Sequence, residues 1–355
     1  MDYRQSDSST FNALLTSEYG PAIVAELSGN HNGSIDRAKK IIRLLADTGV
    51  TAVKLQTYTP ESITMKSDSR DFLISNSESL WRGRSLFDLY QEAHTPWEWH
   101  AELFAQIQDL GMVAFSSPFD FTAVDLLEEL GCPIYKIASF EITHIPLIRY
   151  AASTKKPIVI STGMASENEI KEALDAAAEG GASEVMLLKC TSSYPATSAE
   201  ANLETIVDMQ KRFKVPVGLS DHTLGIGVAV AAVAFGVEMI EKHVTLDRRA
   251  GGVDSAFSLE PHEFAVLASS CRQAKEAKGS VSYGPTSSEQ QSLKLRRSIY
   301  VTQAMKAGDR FSTENLRVIR PAYGLHPRYY DSLLTKRASM DIEAGVPTTW
   351  DMFDP

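Results

Sequence analysis

Cysteine is scarce: Cys132, Cys190 and Cys271 are the only three in 355 residues. They are scattered and odd in number, which excludes a disulfide framework and a C-x-x-C metal pattern and fits a reducing compartment. No apolar run of about 18 residues or more occurs, so no membrane-spanning helix is expected. Residues 1–12 are polar and lack the apolar stretch of a secretory signal, so a cytoplasmic protein is expected. Basic residues are the minority, 35 Lys and Arg against 45 Asp and Glu, a formal net charge of −10. That excludes a broad basic face for nucleic acid or an anionic membrane. A few local cations can still hold a small anion. A G-x-G-x-x-G turn is also missing after the first candidate strand, where Gly29 and Gly33 stand in a G-x-x-x-G spacing, so a dinucleotide-binding open sheet is poorly supported.

What the chain does have is alternation. Short β-branched runs at 22–27, 52–56, 113–116, 134–138, 157–161, 184–190, 215–219 and 238–243 read as eight strands. Segments of helical spacing lie between them. The clearest are 34–48, 167–179, 202–213 and 261–278, and 34–48 carries Ile35, Ala38, Ile41, Ile42 and Leu45 on one face. Glycines 49, 111, 131, 181 and 236 sit where helices must turn back into strands. Eight such units predict an α/β fold, a parallel (β/α)8 TIM barrel. One polar insertion, about 57–96, carries Trp81 near its middle and follows strand two, which puts it at the mouth where barrel chemistry sits.

Composition changes near Gly279. The chain divides into a barrel over 1–280, a linker over 281–297 and a small β-rich domain over 298–355. In the last, 298–302 reads as a strand and 311–316 as a helical turn capped by Ser312 or Thr313. Two near-repeats, Met-Lys-Ala-Gly-Asp (305–309) and Ile-Glu-Ala-Gly-Val (342–346), stand out. So small a unit has a marginal core alone and is expected to dock on something.

The strand ends carry the polar residues. Strand one gives Glu26, then Asn30, His31 and Asn32; strand two gives Lys54 and Gln56 on one side; strand three Ser116 and Ser117. Strand four gives Lys136, Ser139 and Glu141; strand five Ser161, Thr162 and Gly163; strand six Lys189, Thr191, Ser192 and Tyr194. Strand seven gives Ser220, Asp221 and His222; strand eight Glu241, Lys242 and His243, followed by Asp247 and Asp254. Lysines at three strand ends need anions, either carboxylates or substrate. With so many hydroxyls beside them, a phosphate and carboxylate cradle is favoured over structural ion pairs. His222 and His243 can be hydrogen-bonded core residues or a pair of divalent-ion ligands, and spacing leaves both open. His31 can contact substrate or hold its loop. The segment 221–227 can offer a helix N-terminus to an anion or be a plain tight loop.

These segments resemble one family closely. Ala-Glu-Leu-Ser-Gly-Asn-His-Asn-Gly (25–33), Val-Lys-Leu-Gln-Thr-Tyr (53–58), Tyr-Lys-Ile-Ala-Ser-Phe-Glu (135–141), Ser-Thr-Gly-Met (161–164), Leu-Ser-Asp-His-Thr (219–223) and Ile-Glu-Lys-His-Val-Thr-Leu-Asp (240–247) are similar to motifs of the sialic acid synthase family, the nonulosonic acid synthases. The tail, with Arg-Pro-Ala-Tyr-Gly-Leu-His-Pro (320–327), resembles the antifreeze-like SAF domain, a β-clip fold, that those enzymes carry. The resemblance spans about residue 20 to the end. The 25–33 motif, the 251–261 motif and Gly-Leu-His-Pro (324–327) resemble the branch that uses 2,4-diacetamido-2,4,6-trideoxy-altrose, and Ser192 stands where sialic acid synthases typically have Asn.

The resemblance implies a condensation of phosphoenolpyruvate with an acetamido sugar aldehyde and water, with release of phosphate. It implies that His222 and His243 hold Mn2+ or another divalent ion such as Mg2+ or Co2+. Lys54, Lys136, Ser139, Ser161, Ser192 and Ser220 would surround phosphoenolpyruvate, and Gln56, Tyr194 and Asp254 would face the sugar. It also implies a domain-swapped homodimer in which the SAF domain caps the partner's barrel and brings Arg320 to the sugar. Glu26 is the candidate base for the added water, with Glu141 or Glu241 sharing or supporting that role. Two other classes compete: a Schiff-base aldolase using Lys54, Lys136 or Lys189, and a non-catalytic sugar-binding protein.

Overall fold

A computed structural model describes Phe11, residues 20–76 and residues 79–354. The polar segment 1–12, apart from Phe11, lies outside the described residues. The chain splits into two compact units, Met1–Gly279 and Ser280–Pro355.

In the first unit eight parallel strands close on themselves. They are β1 (Ala22–Glu26), β2 (Ala52–Thr57), β3 (Val113–Pro118), β4 (Tyr135–Ile137), β5 (Ile158–Ser161), β6 (Val185–Cys190), β7 (Val217–Ser220) and β8 (Met239–His243), with β8 pairing back to β1. One main helix follows each: α1 (Ile35–Leu45), α2 (Trp97–Asp109), α3 (Phe121–Glu129), α4 (Ile145–Ser153), α5 (Glu167–Gly180), α6 (Glu204–Phe213), α7 (Gly227–Ala234) and α8 (Pro261–Lys278). All eight expected strands are present, with ends shifted by one or two residues. The strands are buried along nearly their whole length, as parallel strands wrapped by helices must be. Local chemistry fixes the helix starts. Ser34 accepts from the Arg37 amide ahead of α1, and Ser166 with Glu169 forms a reciprocal cap ahead of α5. The five glycines expected to turn helices back into strands all have left-handed backbone, with φ from 67° at Gly131 to 89° at Gly181.

The insertion after β2 folds into two short helices, Pro60–Ile63 and Leu86–Ala93. The indole N–H of Trp81 donates to the Val253 carbonyl at 2.9 Å, in the loop that follows β8.

The second unit has its own core of Ile299, Val301, Met305, Phe311, Leu316, Leu333, Ala338, Ile342 and Phe353. Its strands β9 (Ser298–Val301) and β10 (Leu316–Ile319) pair antiparallel. The two near-repeats pair with each other. Met305 and Ile342 exchange backbone hydrogen bonds at 2.8 and 2.9 Å, and Gly308 and Gly345 share a φ of 87°. Residues 313–315 form the expected single turn: the Leu316 amide donates to the Ser312 carbonyl at 2.9 Å and Ser312 Oγ accepts from the Glu314 amide at 3.3 Å, before Leu316 enters β10.

Candidate active site

Barrel closure sets the rows of the site. Glu26 is level with Lys54 of β2 and with His243 of β8. Glu26 and Lys54 form an ion pair. Lys136 Nζ donates to both Glu241 oxygens, at 2.8 and 2.9 Å, and Lys54 Nζ stands 3.8 Å from Glu241. Ser220 Oγ donates to Glu241 at 3.0 Å, and Ser117 Oγ accepts from Lys54 at 3.2 Å. None of the four charged residues is more than 4% exposed. A buried charge costs several kcal/mol unless paired, and here two carboxylates match two ammonium groups. Lys54 and Lys136 thus each carry a protein carboxylate as a partner.

The two glutamates differ sharply. Burial pushes Glu26 up, Lys54 opposes it, Glu241 adds to it, and the balance is about 7. Burial also opposes ionisation of Glu241, but Lys136 and Lys54 hold it well below the usual carboxylate range. Glu26 can exchange a proton near neutral pH; Glu241 stays ionised and anchors the lysines. Glu141 is likewise raised to about 7 by burial. It makes no salt bridge, and its buried Oε2 has no hydrogen-bond partner.

His222 and His243 come together, with ring centroids 5.3 Å apart. Phe257 packs on both, at 5.9 and 5.0 Å. His222 Nδ1 lies 3.0 Å from the Thr191 carbonyl. A donor bond there leaves Nε2 as the lone-pair nitrogen, the arrangement a metal-binding imidazole needs. His243 is held well below its ordinary range by burial, His222 and Lys54, so it is neutral. Its buried Nδ1 has no hydrogen-bond partner and lies 3.6 Å from Asp254 Oδ2. The pair fits a divalent ion. No third His, Cys, Asp or Glu joins them as a ligand group among the described residues, so water and substrate oxygens would fill the remaining positions.

The serines line the same mouth. Ser139 Oγ accepts from the Gly163 amide at 3.1 Å. A Cβ on Gly163 would come within 2.1 Å of Ser192 Oγ and 2.7 Å of Ser139 Oγ, so only glycine leaves this cradle open. Ser161 Oγ is buried without a partner, a donor left for a ligand. Gln56 is half-buried at the end of β2. Tyr194 packs on His222 at 4.5 Å and on Trp81 at 5.7 Å. Asp254 is buried, and burial raises its carboxyl. Arg320 lies exposed in the second unit, directly after β10.

One sequence expectation changes, and two readings left open by the sequence gain detail. Lys189 does not join the cluster. It alternates with Cys190 along β6, so it points outward, donates to Thr191 Oγ1 at 2.8 Å, and lines a cavity of about 540 Å3 with Ile170, Leu203 and Met209 of the helical layer. Lys54, raised by Glu241 and Glu26 against its burial, stays protonated, which counts against it as a Schiff-base nucleophile. His31 holds its loop: its Nδ1 accepts from the Gly33 amide at 3.1 Å and its ring meets Trp99 edge-on. In the 221–227 segment, Asp221 occupies itself with the Thr223 amide and with Lys242, at 2.9 and 2.8 Å. Three neighbours were not singled out from sequence as site residues: Phe257, Ser28 and Cys190. The Cys190 thiol sits 3.9 Å from His222 Nδ1; burial raises it, but His222 and Lys136 bring it to about 7.

A closed barrel with ionised groups buried at the carboxyl ends of its strands is the layout of an enzyme. The chain belongs to the NeuB family, matched over residues 41–283, and carries a SAF domain over residues 296–354. Among particular relatives, it is 43% identical over 326 residues to the pseudaminic acid synthase of Campylobacter jejuni subsp. jejuni serotype O:23/36 (strain 81-176), covering 91% of this chain and 94% of that one. It is 40% identical over 333 residues to the pseudaminic acid synthase of Helicobacter pylori, covering 93% and 97%. A solved N-acetylneuraminic acid synthetase from Leptospira borgpetersenii is similar in fold, with a TM-score of 0.68, 32% identity, and coverage of 78% of this chain and 91% of that one.

Proposed function

We propose that this chain forms pseudaminic acid, condensing phosphoenolpyruvate with the open-chain aldehyde of 2,4-diacetamido-2,4,6-trideoxy-L-altrose and water, and releasing phosphate. The observation that carries the chemistry is the buried Glu26–Lys54–Glu241–Lys136 cluster beside the paired histidines. The choice of sugar is supported by the two pseudaminic acid synthases among its relatives.

On this reading Lys54 and Lys136 receive the phosphate and carboxylate of phosphoenolpyruvate, with Ser139, Ser161, Ser192 and Ser220 around them. C3 of phosphoenolpyruvate bonds to the aldehyde carbon, leaving an electron-poor C2. Glu26 takes the proton of the water that adds to C2, and phosphate leaves with C–O cleavage. Glu241 keeps both lysines charged and in place, and Glu141 is a reserve proton carrier. Gln56, Tyr194 and Asp254 face the sugar. A divalent ion on His222 and His243, Mn2+ with Mg2+ or Co2+ as substitutes, supplies Lewis-acid polarisation of the aldehyde oxygen. Exhaustive chelation is expected to abolish phosphate release and Mn2+ to restore it; undiminished activity of the chelated protein would remove the metal from this reading.

The proposed assembly is a homodimer in which residues 298–355 cap the partner's barrel, residues 281–297 link that domain to the 1–280 barrel, and exposed Arg320 reaches the partner's sugar. The three buried, unpaired thiols support a cytoplasmic setting. No helix among the described residues is long and apolar enough to cross a membrane. The deciding experiment measures phosphate release with the altrose derivative, N-acetylmannosamine and the legionaminic acid precursor. Preference for the first is expected. Preference for another would reassign the product and keep the reaction, and no phosphate with any of them would overturn both.

A further inference from the structure

We infer that Ser28 is a positioning residue for the sugar half of the site, its hydroxyl fixing the Asp254 carboxylate. The inference rests on the reading of Asp254 as a sugar contact. Ser28 has a φ of +46°, in the left-handed region that disfavours any residue with a Cβ, and it is only 3% exposed. Glycine would adopt this backbone more readily, so the serine side chain must be kept for what it touches. Its amide donates to Glu26 Oε1 at 3.0 Å, and its Oγ donates to Asp254 Oδ2. One residue thus joins the candidate base on β1 to a carboxylate in the loop after β8. The same Asp254 oxygen lies 3.6 Å from His243 Nδ1.

The main chain around Asp254 is secured without Ser28. Ser258 Oγ donates to the Asp254 carbonyl at 2.7 Å, and Asn30 Nδ2 reaches Ser258 Oγ and the Val244 carbonyl at 2.9 and 2.8 Å. Among the described residues, Ser28 is the side chain that donates a hydrogen bond to the carboxylate and so sets its direction. Because Asp254 is buried, a carboxylate without that donor would turn toward other partners.

Ser28→Gly separates this role from support of the fold. Glycine keeps the amide that holds Glu26, relieves the backbone and deletes only the hydroxyl. The KM for the altrose derivative is expected to rise about tenfold, with the KM for phosphoenolpyruvate unchanged within about twofold and the melting temperature equal or higher. Ser28→Ala should show the same sugar KM with a lower melting temperature than Ser28→Gly. Asp254→Ala provides the control, since it should raise the sugar KM, and adding Ser28→Gly to it should change that KM by less than about twofold. If Asp254→Ala leaves the sugar KM unchanged, the sugar-contact reading fails. If Asp254→Ala raises it and Ser28→Gly does not, or if Ser28→Gly raises both KM values while lowering the melting temperature, the inference about Ser28 fails.

Discussion

Replacing Glu26 by Gln is expected to cut turnover by about 10²–10⁴, the usual contribution of a general base, while the KM for phosphoenolpyruvate moves little. The amide keeps the size of the side chain and can still accept from the Ser28 amide, but it cannot take a proton from water. Wild-type turnover in this variant would exclude Glu26 as the base. The pH dependence has a defined sign. Glu26 must be ionised to act, so turnover should fall as the pH drops through about 7, its value in the folded chain, and the Gln variant should lose that inflection. Stability runs the other way. A carboxyl raised from its ordinary 4.5 to about 7 favours the fold below about 4.5 and loses that contribution as the pH rises through 7. Catalysis thus uses the ionised form that the folded state favours least.

Lys136→Met is expected to destabilise the barrel by about 3–5 kcal/mol, the cost of breaking a buried ion pair on one side. Lys136 is 2% exposed, and Glu241 would keep only the Ser220 hydroxyl and a Lys54 ammonium 3.8 Å away. Urea unfolding followed at the barrel tryptophans would measure the loss. Adding Glu241→Gln should recover most of it, because the uncompensated charge is then gone. If Lys136→Met alone unfolds at the wild-type urea concentration, the ion pair contributes little and the cluster's purpose lies elsewhere.

The barrel was legible because its signals are local. β-branched runs, one-sided helices and glycines at helix ends recur often enough to count eight units, and they fall where the strands are. The single turn expected within 311–316 was legible in the same way, from Ser312 at its start. The site was half legible. Strand-end chemistry named Glu26, Lys54, Lys136, Glu241 and both histidines, but which of them meet depends on closure. Glu26 is level with both Lys54 and His243 only because β1 joins β2 on one side and β8 on the other. Alternation says that Lys189 and Cys190 face opposite ways, and only the closed barrel says which one faces in. Ser28 was hidden because nothing in a serine announces a left-handed backbone. Phe257 was hidden because its place depends on a loop.

The indole bond from Trp81 to Val253 has a consequence for the rim of the barrel. It ties the segment after β2 to the segment after β8 across a sequence distance of 172 residues, and the strand between them in the barrel is β1, which carries Glu26. The tie works as a buckle over the edge of the mouth where Glu26 sits. The loops after β4 and β5 are held to each other by the Gly163 amide and Ser139 Oγ, and beside that bond Phe140 and Met164 stand 61% and 63% exposed. Two large apolar side chains thus stand in solvent on the rim opposite the strand that carries Glu26.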